Sequence, residues 1–387
     1  MKNKFFFTKA IHVGNAPDEE TGAVTSPIHF SSTFKQNEVG FHKGYDYSRA
    51  GNPTRERFEK NICSLEDASY GIAFSSGMAS ITALFQTMSR GDHVIIGRNV
   101  YGGTYRMVTQ VLCNHGFEFD FVDIRSLDEV ESMIKANTKW VFAETPTNPL
   151  LELCDIKALS NLSKSKGLKL AIDNTFMSPY GQRPIGLGAD VVMHSATKFI
   201  GGHSDLIAGV LITNDSELAE NLYFIQKSGG AILSPFDSWL LLRSTKTLAL
   251  RFQQHSDNAM AIAKSLQDFS KVNSVLYPGL QSHNQHDLAT KQQKNPLGKS
   301  IYGSIISFEC QTKRMRDVFL EKIKLFTLAE SLGGVESLVC IPYDMTHASV
   351  PAGIKKTMGL SPNLVRLSVG IEYLEDLLND LAQALDE

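Results

Sequence analysis

From about residue 70 the chain alternates between short apolar runs and longer amphipathic stretches. The runs His93–Ile96, Phe117–Val122, Trp140–Ala143, Leu168–Ile172, Val191–Met193 and Leu206–Ile212 are rich in Val, Ile, Leu and aromatic residues, as strands buried on both faces are. Between several of them lie Ser80–Met88, Tyr105–Asn114, Leu127–Ala136 and Ile156–Lys166, each of helical length. Apolar strands alternating with helices predict an α/β fold with a mainly parallel central sheet covered by helices. From about Asp237 the pattern turns helical through Leu266. Strand candidates at Ser304–Cys310 and Leu364–Val369 and a closing helix at Tyr373–Leu385 then predict an α+β tail. Before residue 50, Gly14, Pro17, Gly22, Pro27, Gly40 and Gly44 interrupt any helical period, which predicts an extended arm bound to a neighbouring subunit. Asn52-Pro53-Thr54 marks the first helix start, since proline in a first turn forfeits no hydrogen bond. The expected division is an arm (1–50), a large α/β domain (51–245) and a smaller α+β C-terminal domain (246–387).

Composition narrows the function. The 387 residues suffice for two or three domains at ~100–200 residues each. Thirty-eight Lys+Arg against 41 Asp+Glu leave a net charge of −3 with no basic tail, which disfavours a nucleic-acid partner. No stretch approaches the ~20 apolar residues of a membrane span. The apolar run Phe5-Phe6-Phe7 is shorter than the ~7–15-residue core of a signal peptide. Cys63, Cys113, Cys154, Cys310 and Cys340 form no C-x-x-C pair, so neither a disulfide framework nor a zinc site is expected, and a cytoplasmic location is. His194, His203 and His347 lack metal-ligand spacing and read as loop hydrogen-bonding groups.

In open α/β sheets ligands bind at the carboxyl ends of the strands, so the residues just after each apolar run carry the chemistry. Ser75-Ser76-Gly77-Met78 precedes a helix and can offer free backbone N–H groups to an anion. By itself such a loop is usually a tight cap. No G-x-x-x-x-G-K-[ST] loop and no G-x-G-x-x-G fingerprint occurs, which sets nucleoside triphosphate and nicotinamide dehydrogenase readings behind. Asp173 ends the run Leu168–Ile172, where an isolated Asp would most often cap a turn. Ser195, Thr197 and Lys198 follow Val191–Met193, with Gly201 and Gly202 just beyond. A lone loop lysine is ordinarily solvated, but one held in a pocket loses proton affinity and becomes a nucleophile or base. Anion loop, strand-end Asp and strand-end Lys with two hydroxyls form the set that pyridoxal phosphate requires.

The stretch Ser195-Ala196-Thr197-Lys198-Phe199-Ile200-Gly201-Gly202-His203-Ser204-Asp205 resembles the lysine signature of the Cys/Met-metabolism pyridoxal phosphate enzymes, a family that includes cystathionine γ-lyase, γ-synthase, β-lyase and methionine γ-lyase. Further likenesses are Tyr47-Ser48-Arg49-Ala50-Gly51-Asn52-Pro53-Thr54-Arg55, Val100-Tyr101-Gly102-Gly103-Thr104, Glu144-Thr145-Pro146-Thr147-Asn148-Pro149, Asp173-Asn174-Thr175-Phe176, Glu330-Ser331-Leu332-Gly333-Gly334 and Arg366-Leu367-Ser368-Val369-Gly370, spanning nearly the whole chain. The resemblance implies the aspartate aminotransferase-like fold of type I pyridoxal phosphate enzymes and a homotetramer built from dimers that share active sites. By the same resemblance Lys198 carries the cofactor as a Schiff base and moves protons once released, while Asp173 pairs with the pyridine nitrogen. Ser76, Gly77, Met78, Ser195 and Thr197 would hold the phosphate, with Tyr47 and Arg49 reaching it from the neighbouring subunit. Tyr101 would stack on the ring near the substrate sulfur. Arg366, helped by Asn148, would clamp the substrate α-carboxylate, with Ser331 and Ser337 as weaker candidates.

Family members differ in what leaves or enters at the β or γ carbon. Gly103 stands where typical methionine γ-lyases carry a cysteine, which argues against that activity. Asp46, Arg106 and Glu336 align with positions that, in cystathionine-handling members, face the distal amino-acid end of the substrate. Thr33-Phe34-Lys35-Gln36, the run from Tyr277 to His283 and Lys324-Leu325-Phe326-Thr327-Leu328-Ala329 look most like cystathionine γ-lyase. The expected reaction is therefore γ-elimination of L-cystathionine, with release of hydrogen sulfide from cysteine or homocysteine as a side activity. Cystathionine γ-synthase is the alternative among enzymes. A noncatalytic binding protein that kept the fold is the alternative outside them, and it would lack the yellow absorbance of a lysine-bound cofactor.

Overall fold

The computed structural model describes residues 4–348 and 350–385. A short ribbon of β1 (Gln36–Glu38) and β2 (Phe41–His42) precedes two larger sheets. The first comprises β3 (Tyr70–Phe74), β4 (His93–Gly97), β5 (Glu118–Val122), β6 (Thr138–Glu144), β7 (Lys169–Asp173), β8 (Val191–His194) and β9 (Gly209–Thr213), in the order β3-β9-β8-β7-β6-β4-β5. Neighbours are parallel except at β9, which runs against both β8 and β3. The second sheet comprises β10 (Val272–Leu276), β11 (Ile305–Cys310), β12 (Thr327–Leu328), β13 (Leu338–Cys340) and β14 (Leu364–Ser368), ordered β10-β11-β14-β13-β12 and antiparallel apart from the β12/β13 pair.

Both faces of the seven-stranded sheet are buried, which is why its strands read as continuous apolar runs. Ile96, Phe142, Met193 and Leu211 pack into one layer, while their chain neighbours Ile95, Val141, Val192 and Ile212 pack into the layers opposite. Helices α2 (Pro53–Leu65), α3 (Gly77–Phe85) and α4 (Gly102–Gln110) follow the Asn52, Ser76 and Tyr101 turns. Asn52 caps α2 by accepting from the N–H groups of Thr54 and Arg55, so the expected helix start holds.

Three expectations change, and one strand escapes the apolar pattern. Strand β3 carries no clean apolar signal because Gly71 interrupts it. A Cβ at Gly71 would lie 2.7 Å from the Glu59 carbonyl, so only glycine lets α2 pack this close. The run Leu206–Ile212 becomes a strand only from Gly209. The helical stretch from Asp237 to Leu266 is two helices, Pro235–Thr245 and Leu248–Leu266, broken at Lys246-Thr247. The first fifty residues are not wholly extended, since Phe6–His12 forms a helix whose Phe6 and Ala10 enter the core beside Phe58 and Ile62. The Asn61 amide ties that helix down by donating to the carbonyls of Ala10 and Val13. Beyond it the arm is exposed, with Val24, Phe30, Val39 and Phe41 in the open.

Candidate active site

At the carboxyl ends of β6, β7 and β8 lies a cavity of about 610 Å³, closed on its far side by Glu330, Ser331 and Arg366 of the C-terminal sheet region. Strands β6 and β7 each deliver one polar group to it, and the turn after β8 delivers Lys198. Asp173, the last residue of β7, is buried and accepts from the Thr175 N–H (3.0 Å) and hydroxyl (2.5 Å), both at Oδ1. Burial pushes its carboxyl up, and the Thr175 bonds and His194 pull it back. Glu144, the last residue of β6, stands in register with Asp173. Burial, then the neighbouring Asp173, raises its carboxyl well above the usual range.

Lys198 sits in the turn after β8 rather than on the strand itself. Thr197 staples that turn to Ala208: the Thr197 N–H and hydroxyl donate to the Ala208 carbonyl (3.2 and 3.1 Å), and the Ala208 N–H donates to Thr197 Oγ1 (3.0 Å). The Lys198 ammonium donates to Ser331 Oγ at 2.7 Å. Burial, then the Arg366 cation, lowers its pKa to about 8, with Glu330 opposing. Ser331 adopts φ 86°, the left-handed region uncommon for a side-chain-bearing residue.

Arg366 is 2% exposed on β14. Its Nη1 donates to Asn148 Oδ1 (2.9 Å) and its Nη2 to the Ser331 carbonyl (2.8 Å), while its Nε is buried with no partner. An orphaned guanidinium N–H beside an open cavity is suited to receive a carboxylate. On the opposite wall Ser76 caps α3 by accepting from Ala79 N–H (3.0 Å), and the first-turn N–H groups of Gly77 and Met78 have no intrahelical partner. Ser195 packs against Gly77, where a Cβ would lie 3.0 Å from the serine Cβ. These donors, Lys198 and the strand-end Asp173 line one cavity, so phosphate, aldehyde and ring nitrogen of pyridoxal phosphate each meet a suitable group.

Tyr101 is the residue before α4; its N–H donates to Glu144 Oε2 (2.8 Å) and its side chain, 38% exposed, lines the cavity. Glu336 also lines the cavity and accepts from the Ser204 hydroxyl. Other expected residues lie elsewhere in this chain. Ser337 is buried outside the cavity lining, its hydroxyl donating to Glu372 Oε2 (2.9 Å) and accepting from Gly370 N–H (2.8 Å), so it braces a turn there. Arg106 lies on α4 and is not part of the cavity lining. Asp46, Tyr47 and Arg49 lie on the arm, away from this chain's own cavity; Arg49 donates to the Lys227 carbonyl (2.6 Å) with its guanidinium over the Tyr47 ring. His194 pairs with Glu66 at 2.7 Å, both fully buried, and His203 and His347 bond to Gly201 and Thr346. The cavity also contains Glu144, Thr175, Ser204 and Glu330, which residue-by-residue reading did not single out. Glu144 and Thr175 were findable as strand-end or next-to-strand-end polar residues.

The fold and this constellation define a pyridoxal phosphate-dependent enzyme. The match of residues 7–386 to the Cys/Met metabolism PLP-dependent enzyme family shows that the chain belongs to it. It is 49% identical over 380 residues to cystathionine beta-lyase of Lactococcus lactis, covering 98% of each chain. It is 48% identical over 386 residues to cystathionine gamma-lyase of Bacillus subtilis, covering all of both. Among solved structures, cystathionine gamma synthase from Xanthomonas oryzae pv. oryzae in complex with aminoacrylate and cysteine superimposes with TM-score 0.95 at 38% identity, over 99% of this chain and 98% of that one. The protein is thus a PLP-dependent lyase or synthase of sulfur amino-acid metabolism, and its relatives divide among three reactions.

Proposed function

We propose that the enzyme cleaves L-cystathionine by γ-elimination, giving L-cysteine, 2-oxobutanoate and ammonia with uptake of one water. The observation that carries the choice of substrate is that Arg366 and Glu336 line the same cavity as Lys198; the choice of the γ carbon rests on the likeness of Thr33-Phe34-Lys35-Gln36, the run from Tyr277 to His283 and Lys324-Leu325-Phe326-Thr327-Leu328-Ala329 to cystathionine γ-lyase. A cation for one α-carboxylate and a separate anion for a distal ammonium suit a substrate with two amino-acid ends, whereas methionine's methyl would favour an apolar wall.

The bound cofactor supplies an electron sink that acidifies the protons beside the substrate amine. Arg366 and Asn148 orient the α-carboxylate. Lys198, with its pKa lowered to about 8, takes the Cα proton in its neutral form and, once it has passed that proton on, a Cβ proton; Tyr101 then gives a proton to the thiolate sulfur departing from Cγ. Asp173 holds the positive ring nitrogen. Gly77, Met78, Ser195 and Thr197 hold the phosphate; Tyr47 and Arg49 complete it from a neighbouring subunit in a cytoplasmic homotetramer. Asp46 and Arg106 join the distal recognition in that assembly. The arm (1–50), cofactor domain (51–245) and C-terminal domain (246–387) are the working parts in this reading, and hydrogen sulfide release from cysteine or homocysteine is its side activity.

Product analysis tests the reading. Purified enzyme with L-cystathionine should give 2-oxobutanoate and cysteine. Pyruvate with homocysteine instead would mean β-cleavage, and cystathionine made from an activated homoserine ester and cysteine faster than it is cleaved would mean a synthase. Either result would sink the proposal.

A further inference from the structure

Glu144 occupies a position that the reaction outlined above leaves unused. Its carboxyl is buried, yet both oxygens are engaged by backbone N–H groups from different loops: Oε1 accepts from Asn148 and Oε2 from Tyr101, each at 2.8 Å. Asn148 in turn presents its Oδ1 to Arg366 Nη1 at 2.9 Å, Arg366 Nη2 holds the Ser331 carbonyl at 2.8 Å, and Ser331 Oγ receives the Lys198 ammonium at 2.7 Å. A series of hydrogen bonds, linked through the covalent frames of Asn148 and Ser331, therefore runs from Tyr101 through Glu144, Asn148, Arg366 and Ser331 to Lys198. It joins the end of β6 to β14 of the other sheet.

We propose that Glu144 is a positioning residue that sets the Arg366 carboxylate clamp and the Tyr101 turn in one fixed relation. Two features single it out. A carboxylate is the only side-chain group with two equivalent acceptors able to take both N–H donors at once. Burial and Asp173 work against a charge at this position, and the two N–H donors and the nearby Arg366 cation oppose them. Loss of one oxygen would release one loop, and the Asn148 loop carries the acceptor that orients Arg366. The predicted defect is therefore selective: the hold on the substrate α-carboxylate weakens, while amine binding at the cofactor does not.

The test uses the holoenzyme and two probes, glycine and methylamine, which share the amine and differ in the carboxylate. Their binding is followed by titrating the cofactor absorbance, a readout independent of turnover. Glu144→Gln keeps the shape but can accept only one of the two N–H groups, so glycine should bind ~10-fold more weakly and methylamine within about 2-fold of wild type. Glu144→Ala should widen the gap. Asn148→Ala should give the same selectivity, and Glu144→Gln combined with it should add little, because both act on one clamp. Equal weakening of both probes, unchanged glycine binding in Glu144→Gln, or full additivity with Asn148→Ala would overturn the proposal. Should Glu144→Ala fail to fold, the isosteric Gln variant and the double variant still decide.

Discussion

Replacing Gly103 by alanine should cripple catalysis chiefly through Tyr101. A Cβ at this position would lie 2.4 Å from Tyr101 Cε1 and 2.9 Å from both Tyr101 Cδ1 and Met78 Sδ. Ordinary contact begins near 3.4 Å, so the ring edge must retreat by 3.4 − 2.4, or about 1.0 Å. A displacement of ~1 Å in a group that must meet the reacting atoms costs on the order of 10²-fold. Steady-state kinetics on L-cystathionine should show that loss mainly in kcat/KM, with the cofactor absorbance retained. Gly186→Ala serves as the control, since nothing lies within 4 Å of its added methyl. The decisive comparison is made in a Tyr101→Ala background, where Gly103→Ala should be nearly silent. A full-sized loss there, or wild-type kcat/KM in the single variant, would refute the argument.

Three further outcomes follow from the same structure. Lys198→Ala should abolish both the yellow cofactor band and turnover, and retained turnover would remove Lys198 from the mechanism. Lys198 binds its proton less tightly when folded (about 8) than when unfolded (10.5), so the cofactor-free protein should gain stability as pH rises between those values; denaturant midpoints should show Lys198→Met ahead of wild type at pH 7 and the gap closing by pH 10.5. Ser337→Ala should cost ~1–2 kcal/mol in denaturant unfolding by removing the hydroxyl that Glu372 Oε2 and the Gly370 N–H share, while KM for L-cystathionine stays within about 2-fold.

Much of the architecture was legible because the sheet is buried on both sides. Runs such as Trp140–Ala143 need no alternation to announce themselves, and the polar residues that end them, Asp173 above all, are visible as breaks in apolarity. What escaped was whatever depends on close approach. Gly71 conceals β3 because the close packing of α2 that it admits shows only in the folded chain, and the reversed direction of β9 leaves no mark on its composition. Motif likeness likewise marked Ser337, Arg106 and Glu336 alike as candidates, yet only Glu336 lines the cavity of its own chain. Glu144 lay inside a quoted motif but gave no sign of its role, which arises from two backbone N–H groups brought together by folding.

The staple between Thr197 and Ala208 limits how the lysine can work. Since β8 and β9 are antiparallel neighbours, the stretch joining them leaves and re-enters the sheet at the same edge, and three hydrogen bonds pinch it shut at the base. A loop closed in this way has little backbone freedom left to lose or to use. Whatever distance the Lys198 amine covers between binding the cofactor and handling substrate protons must come from rotation about its own side-chain bonds, with the backbone acting as a fixed pivot.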